Sequence, residues 1–366
     1  MNVLVTGSKG FIAKNLILHL KETPRINILH YKKKNKNLTK LIEKSDIIYH
    51  FAGQNRSVNK NDFIKNNIDL TKRICEIIKQ KKLKTKIVFS SSTQVKNNSI
   101  YGKTKLKCEK IIKNKLKKKE QYLIMRLPNV FGKWSKPFYN SVVSTFCYQI
   151  LRNKKIKLIE PNKKIQLIYI DDLIVFLIKI IKVKNFVNYS FDKKKIYTSS
   201  PLKICNILRR FYNNNKNGIV NNLSKPFHKK LYSTFLTFSP FSQISCNPIV
   251  NSDKRGFFIE LLKFGHLGQI SALSILPGQV RGGHYHNTKT EKFFLINGLV
   301  MFKFINLYNG KKYSLIMSEK KNRIIITIPG WAHQIVNYSK KKTANLVVWA
   351  NEKFLKQKPD TIKYNF

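Results

Sequence analysis

The chain has 366 residues, 42% of them hydrophobic and 12% aromatic, which is enough apolar material for sizeable cores and excludes disorder of the whole chain. Its 71 Lys and Arg against 18 Asp and Glu leave a net charge of +53, but only ten are Arg and the lysines run along the entire chain, so we read a biased, solvated surface rather than a nucleic-acid site. The most apolar stretch, Leu173 to Val183, is interrupted by Lys179 and far shorter than the ~20 residues of a membrane span, and the five scattered cysteines form no CxxC pair, so a soluble protein of the reducing cytoplasm is expected.

Met1 to Val5 runs straight into a strand-like segment, so no signal peptide is expected. Val3 to Val5 predicts a strand, and Phe11 to Leu20 has helical spacing. Strands follow at Ile26 to His30, Ile47 to Phe51, Ile87 to Phe89 and Tyr122 to Met125, with helical stretches at Phe63 to Lys79 and Lys103 to Lys119. This β-α rhythm predicts a doubly wound parallel sheet of the Rossmann type. The segment from Tyr212 to Leu231 carries no clear pattern. After roughly residue 240, short β-prone segments recur at Gly256 to Leu262, Gln269 to Ile275, Lys292 to Ile296, Val300 to Ile305, Ile324 to Ile328 and Leu346 to Trp349. Turn signals such as Pro277-Gly278, Arg281-Gly282-Gly283 and Asn297-Gly298 separate them, predicting an all-β barrel. The expected domains are residues 1–245 and 246–366.

Thr6-Gly7-Ser8-Lys9-Gly10-Phe11-Ile12-Ala13 lies between the first strand and the first helix. Gly7 permits a tight turn, Gly10 lets backbone approach a pyrophosphate, and the helix start at Lys9, Phe11 and Ile12 offers N–H groups to it. A carboxylate for a ribose 2′-hydroxyl is missing from the end of the second strand, where His30-Tyr31-Lys32-Lys33-Lys34 stands instead. Lysines, Lys32 first among them, suit a 2′-phosphate and hence NADPH.

Tyr101-Gly102-Lys103-Thr104-Lys105 places Tyr101 and Lys105 on one helix face. The ammonium is expected to lower the phenol pKa and make Tyr101 a general acid/base, with Ser92 polarising the same oxygen. With the glycine loop, these residues resemble the extended short-chain dehydrogenase/reductase family. The resemblance extends to His50-Phe51-Ala52-Gly53, Asn67-Ile68-Asp69, Arg126-Leu127-Pro128-Asn129 and Ile170-Asp171-Asp172. It implies cofactor contacts from Ala52, Gly53, Asn67 and Lys105, and a substrate contact from Asn129.

His284, His286 and Glu291 follow Gly278 and precede Gly298 in the spacing G-x5-H-x-H-x4-E-x6-G, and His333 arrives later in Pro329-Gly330-Trp331-Ala332-His333. Alternation puts His284 and His286 on one side of a strand, and Glu291 is expected on a neighbouring strand. Three imidazoles and a carboxylate suit a divalent metal, zinc foremost. Arg281 and Lys292 are expected to hold substrate oxygens nearby. These motifs resemble the cupin superfamily.

A reductase followed by a cupin resembles bifunctional enzymes of capsular polysaccharide synthesis. That resemblance implies a homodimer acting on a UDP-linked 4-keto amino sugar. The cupin would epimerise C3 of a UDP-2-acetamido-2,6-dideoxy-4-hexulose, and the reductase would reduce its C4 ketone with NADPH to UDP-2-acetamido-2,6-dideoxy-L-talose. Two other readings remain open on the residues alone: a cupin that only binds or assembles, and a polyanion-binding protein with a vestigial reductase fold.

Overall fold

A computed structural model describes residues 1–31, 37–55, 63–187, 189–265, 267–321, 323–353, 357 and 359–366, apart from the side chains of 64–66. Two compact units emerge, and their border is not a single cut. The first comprises Met1–Arg209 with Leu223–Pro240, and the second Arg210–Asn222 with Phe241–Phe366. Residues 210–222 thus belong with the second unit, ahead of the border near 246 that composition suggested. The reason is a pairing invisible in sequence: Val220 N–H donates to the Lys263 carbonyl, and Lys263 N–H to Gly218.

In the first unit, β1 (Asn2–Thr6), β2 (Asn27–Tyr31), β3 (Ile47–His50), β4 (Lys86–Ser92) and β5 (Tyr122–Leu127) form one parallel sheet in the order β2-β1-β3-β4-β5. Alternate residues feed opposite layers. Val3, Val5, Ile47, Tyr49 and Val88 pack on the helices Phe11–Lys21 and Ile170–Ile180. Leu4, Ile48, Ile87 and Phe89 pack on Leu38–Glu43, Leu70–Gln80 and Ile100–Lys115. Burial on both faces is why these strands read as apolar runs rather than alternations. The strand predicted over Ile87 to Phe89 continues to Ser92, its three serines being buried. A second sheet holds β6 (Asn129–Phe131), β7 (Ile165–Tyr169) and β8 (Ile196–Ser199). The unpatterned segment is helical at its two ends, within Pro201–Lys216 and Pro226–Leu236, and irregular between them.

In the second unit, β9 (Val250–Asp253), β10 (Gly256–Lys263), β11 (Gln269–Ile275), β13 (Glu291–Asn297), β16 (Ile324–Ile326) and β18 (Ala344–Ala350) build a six-stranded sheet. A five-stranded sheet runs in the order β15 (Lys312–Ser318), β14 (Leu299–Asn306), β17 (Trp331–Asn337), β12 (Val280–Tyr285) and β19 (Ile362–Lys363). All pairings are antiparallel, and Leu273, Phe293, Leu295, Phe302, Ile335 and Leu346 are among the residues of the apolar core between the sheets. The Arg281-Gly282-Gly283 segment is not a turn. It is a bulge inside β12, with both glycines at positive φ. A Cβ on Gly282 would lie 2.8 Å from the His333 carbonyl oxygen. All five cysteines are free thiols. Among the described residues no helix is long and apolar enough to cross a membrane.

Candidate functional site

Strand order reverses between β1 and β3, and in such sheets ligands bind outside the C-terminal strand ends at that point. Gly7 turns there at φ +70°, and a Cβ on it would lie 2.7 Å from the Ala52 backbone nitrogen. Gly10 caps the helix Phe11–Lys21, and no side chain caps it. The first-turn N–H groups of that helix are therefore available to an anion.

A directed hydrogen-bond chain locks this crevice. Ala52 N–H donates to Thr6 Oγ1 at 3.1 Å, and Thr6 Oγ1 lies 2.8 Å from His50 Nδ1. His50 Nε2 lies 2.9 Å from Thr71 Oγ1, whose hydroxyl donates to the Asn67 carbonyl at 2.6 Å. Since Thr71 spends its proton on Asn67, it accepts from Nε2–H, and Nδ1 accepts from Thr6. Burial, aided by the Lys105 charge, pushes His50 down to about 3, so it stays a neutral structural linker. The Asn67 side chain brackets Gln54, accepting its N–H at 2.7 Å and donating to its carbonyl at 3.0 Å.

Ser92, Tyr101, Lys105 and Asn129 line one cavity of about 420 Å³ together with Lys9, Gly10, Phe11, Ile12 and Gly53. Gly7, Ala52 and Asn67 are not among the residues that line it, and Lys32 lies outside the described residues. Lys105 is 3% exposed; its ammonium donates to the Ser90 carbonyl at 2.7 Å and sits 4.6 Å from the Phe89 ring centroid. Burial lowers it to about 8. The phenol of Tyr101 departs from expectation: burial, with Tyr139 and Cys108 adding to it, raises it to about 12. The Lys105 ammonium lies 5.9 Å from that ring's centroid. Tyr101 is thereby held protonated, which suits an acid delivering a proton better than a base.

A further cluster escaped the sequence reading. Buried Glu109 accepts from Ser91 Oγ, from Arg126 Nε at 3.0 Å and from Arg126 Nη2 at 2.7 Å. It staples the helix Ile100–Lys115, which carries Tyr101 and Lys105, to the strand ends that carry Ser92. The i, i+4 step from Lys105 to Glu109 was the available signal.

In the second unit the bulge at Gly282-Gly283 brings His284 opposite His333. His284, His286, Glu291 and His333 present donor atoms that all lie within 4.8 Å of one another. Glu291 Oε2 is 3.4 Å from both His286 Nε2 and His333 Nε2. Glu291 enters from the facing sheet, since β13 and β12 belong to different sheets; a neighbouring strand was expected. Nε2 of His284, His286 and His333 have no hydrogen-bond partner although buried. Burial, with His333 beside it, pushes His284 down to about 3, leaving a neutral imidazole. Burial opposes the Glu291 charge, but its polar neighbours, with the Lys289 ammonium 2.8 Å from Oε1, hold its carboxyl well below the usual range. Orphaned imidazole nitrogens around an ionised carboxylate fit a divalent cation.

The structure does not bring Lys292 to this cluster. It lies on the opposite face of β13 from Glu291, with its ammonium 5.4 Å from the Trp349 ring centroid. Alternation along the strand is the physical reason. Arg281 donates to the Ser274 carbonyl at 3.0 Å and pairs with Asp253 at 3.5 Å.

A nucleotide-cofactor cleft at the switch point of a parallel sheet, with a Ser-Tyr-Lys set on its wall, defines a class, and the chain belongs to the NAD dependent epimerase/dehydratase family, which matches residues 3–189. Residues 251–362 match the polysaccharide biosynthesis C-terminal domain. The chain is 37% identical to the UDP-2-acetamido-2,6-beta-L-arabino-hexul-4-ose reductase of Pseudomonas aeruginosa, over 99% of this chain and 98% of the relative. Its structure is similar to that of the capsular polysaccharide assembling protein CapF from Staphylococcus aureus, at 31% identity, full coverage of both chains and a TM-score of 0.89. The fold of the first unit is shared with UDP-glucuronic acid 4-epimerase from Bacillus cereus, at 21% identity over 58% of this chain and 84% of that one, with a TM-score of 0.52.

Proposed function

We propose that the chain is a bifunctional nucleotide-sugar enzyme of polysaccharide biosynthesis. Its cupin part, the second unit, epimerises C3 of a UDP-2-acetamido-2,6-dideoxy-4-hexulose. Its reductase part, the first unit, reduces the C4 ketone with NADPH to UDP-2-acetamido-2,6-dideoxy-L-talose. The observation that carries this reading is the cavity where Ser92, a protonated Tyr101 and Lys105 converge under the glycine turn. The end-to-end similarity to a hexul-4-ose reductase supplies the substrate class.

In the reductase cavity, Gly10 and the helix start would hold the cofactor pyrophosphate, and Lys105 would hold the nicotinamide ribose. The cofactor, when bound, supplies hydride to C4. Ser92 hydrogen-bonds the ketone oxygen, and Tyr101 donates its proton there as the alkoxide forms. One ketone, one hydride and one proton give one alcohol. In the cupin part, the proton at C3 is acidic because C3 lies beside the C4 ketone. His284, His286, Glu291 and His333 would hold a divalent ion, which would supply positive charge beside the C4 oxygen. A base takes the C3 proton and an acid returns one to the opposite face, so the inversion proceeds with no net gain or loss of protons.

The homodimer expected from the family has a surface that supports it. Phe294, Ile296, Ile324 and Ile326 are exposed on neighbouring strands of the six-stranded sheet. Incubation with candidate UDP-4-keto-hexosamines and NADPH, followed by NMR of the product sugar, tests the whole reading. A 6-deoxy-talo product is expected. No consumption of NADPH with any UDP-linked 4-ketone would overturn it, and reduction without inversion at C3 would leave the cupin part as a binding module.

A further inference from the structure

We propose that Asp360 is the positioning residue of the histidine cluster, fixing through its carbonyl and carboxylate the ring of His286 and the loop that delivers Lys289 to Glu291. The inference rests on reading the cluster as a divalent metal centre.

The Asp360 carboxylate accepts five hydrogen bonds from one short loop. Backbone N–H groups of Asn287, Thr288 and Lys289 donate at 2.9, 2.7 and 2.8 Å. Thr288 Oγ1 and Asn287 Nδ2 add bonds of 3.0 and 3.2 Å. Partial burial opposes the Asp360 charge, but these donors outweigh it and hold the carboxyl far below the usual range. The loop so folded carries Lys289, whose ammonium lies 2.8 Å from Glu291 Oε1. Oε1 is thereby engaged, and Oε2 is left facing the imidazoles.

The main chain of Asp360 does a second job. Its carbonyl contacts His286 Nδ1. A carbonyl can only accept, so Nδ1 carries the proton and Nε2 keeps its lone pair. Nε2 is the atom without a partner in the cluster. Directly after Asp360, β19 returns along β12 with Lys363 opposite His284 and Ile362 opposite Tyr285. Tyr364 N–H donates to the Gly283 carbonyl at 2.8 Å, at the bulge itself. Without β19, β12 would be a bulged edge strand held from one side only. Three of the four donors therefore depend on residues 360–364, some seventy positions away in sequence.

A residue that sets the tautomer and orientation of ligands acts on metal affinity, typically by ~10–100-fold. Co2+ is the probe, titrated into the metal-free full chain and followed by its visible d–d absorption. The wild-type chain should take up one Co2+ with the intense spectrum of a four-coordinate site. Asp360→Ala should weaken uptake ~10–100-fold and weaken or shift that spectrum. Asp360→Asn, which keeps the volume and one acceptor oxygen, should fall between; it decides the matter if the alanine variant loses the near-ultraviolet dichroism of the folded barrel. Wild-type affinity and an unchanged spectrum in the folded Asp360 variants, with uptake lost in His284→Ala, would overturn the role of Asp360 alone. No uptake by the wild-type chain would overturn the metal reading with it.

Discussion

Lys105 in the first unit and Lys289 in the second are 3% and 8% exposed, and the two units use these buried ammonium groups in opposite ways. Lys105 has no acid of its own. It rests on the Ser90 carbonyl and the Phe89 ring, while Glu109, one turn away, is taken by Arg126 and Ser91. Lys289 is paired directly with Glu291. The difference teaches what each site demands. A lysine stripped of a counter-ion keeps N–H donors for a ligand such as a ribose hydroxyl, which suits a cofactor that comes and goes. A lysine tied to a carboxylate holds that carboxylate in place, which suits permanent ligand geometry.

The largest effect that tests this contrast is expected at the reductase wall. Tyr101→Phe removes the proton donor, so kcat for ketone reduction should fall ~10²–10⁴-fold with NADPH affinity nearly unchanged. The loss of absorbance at 340 nm measures the rate, and a variant retaining a tenth of it would remove Tyr101 from the proton path. Next, His284→Ala should suppress deuterium incorporation at C3 in D2O by about two orders of magnitude, a typical cost of losing charge stabilisation in a water-poor site. Its reduction of an already inverted ketone should stay intact. Undiminished exchange would detach the cluster from the inversion.

A smaller, graded effect is expected from pH. Lys105 titrates at about 8, below the ordinary 10.5. The ammonium is complete below that value and lost above it, so NADPH affinity should decline as pH rises from 7 to 9, by at most about tenfold per unit. Lys105→Met should abolish the dependence, and a flat wild-type profile would refute the poise. Between about 8 and 10.5 the unfolded chain binds the extra proton, so this lysine opposes folding at neutral pH and stability rises as pH climbs through that window. Least of all, Lys292→Ala should change Co2+ uptake by less than ~2-fold, because β13 turns that side chain away from Glu291. A tenfold loss would show that the outer face reaches the cluster.

Much of both sites is legible in short stretches of chain. Gly7 signals the phosphate turn because only a residue without Cβ tolerates the approach of Ala52, and a Cβ on Gly10 would crowd the Gly7 carbonyl oxygen at 3.0 Å. Tyr101 and Lys105 share a face because a helix repeats every 3.6 residues, and the alternation of His284 and His286 follows from the strand period of two. The apolar runs of β1, β3 and β4 announced a sheet covered on both faces. Less legible was the phenol of Tyr101, where burial overrides the neighbouring charge that sequence alone suggested. Two glycines in β12 read as a turn, since nothing local distinguishes a turn from a bulge inside a strand.

By itself, then, the sequence determined the class of each half, the glycine turn, the tyrosine–lysine helix face and the identity of the four candidate ligands. These depend on spacings of a few residues, over which backbone geometry is nearly independent of the rest of the fold. Only the tertiary structure decided that His333 stands opposite His284, that Glu291 comes from the facing sheet, that Lys292 points outward, and that residues near 220 and 360 complete the second unit. Those outcomes hang on strand register across tens of residues. Register is set by the sum of many weak cross-strand contacts, and a slip of one position would turn every ligand to the wrong face.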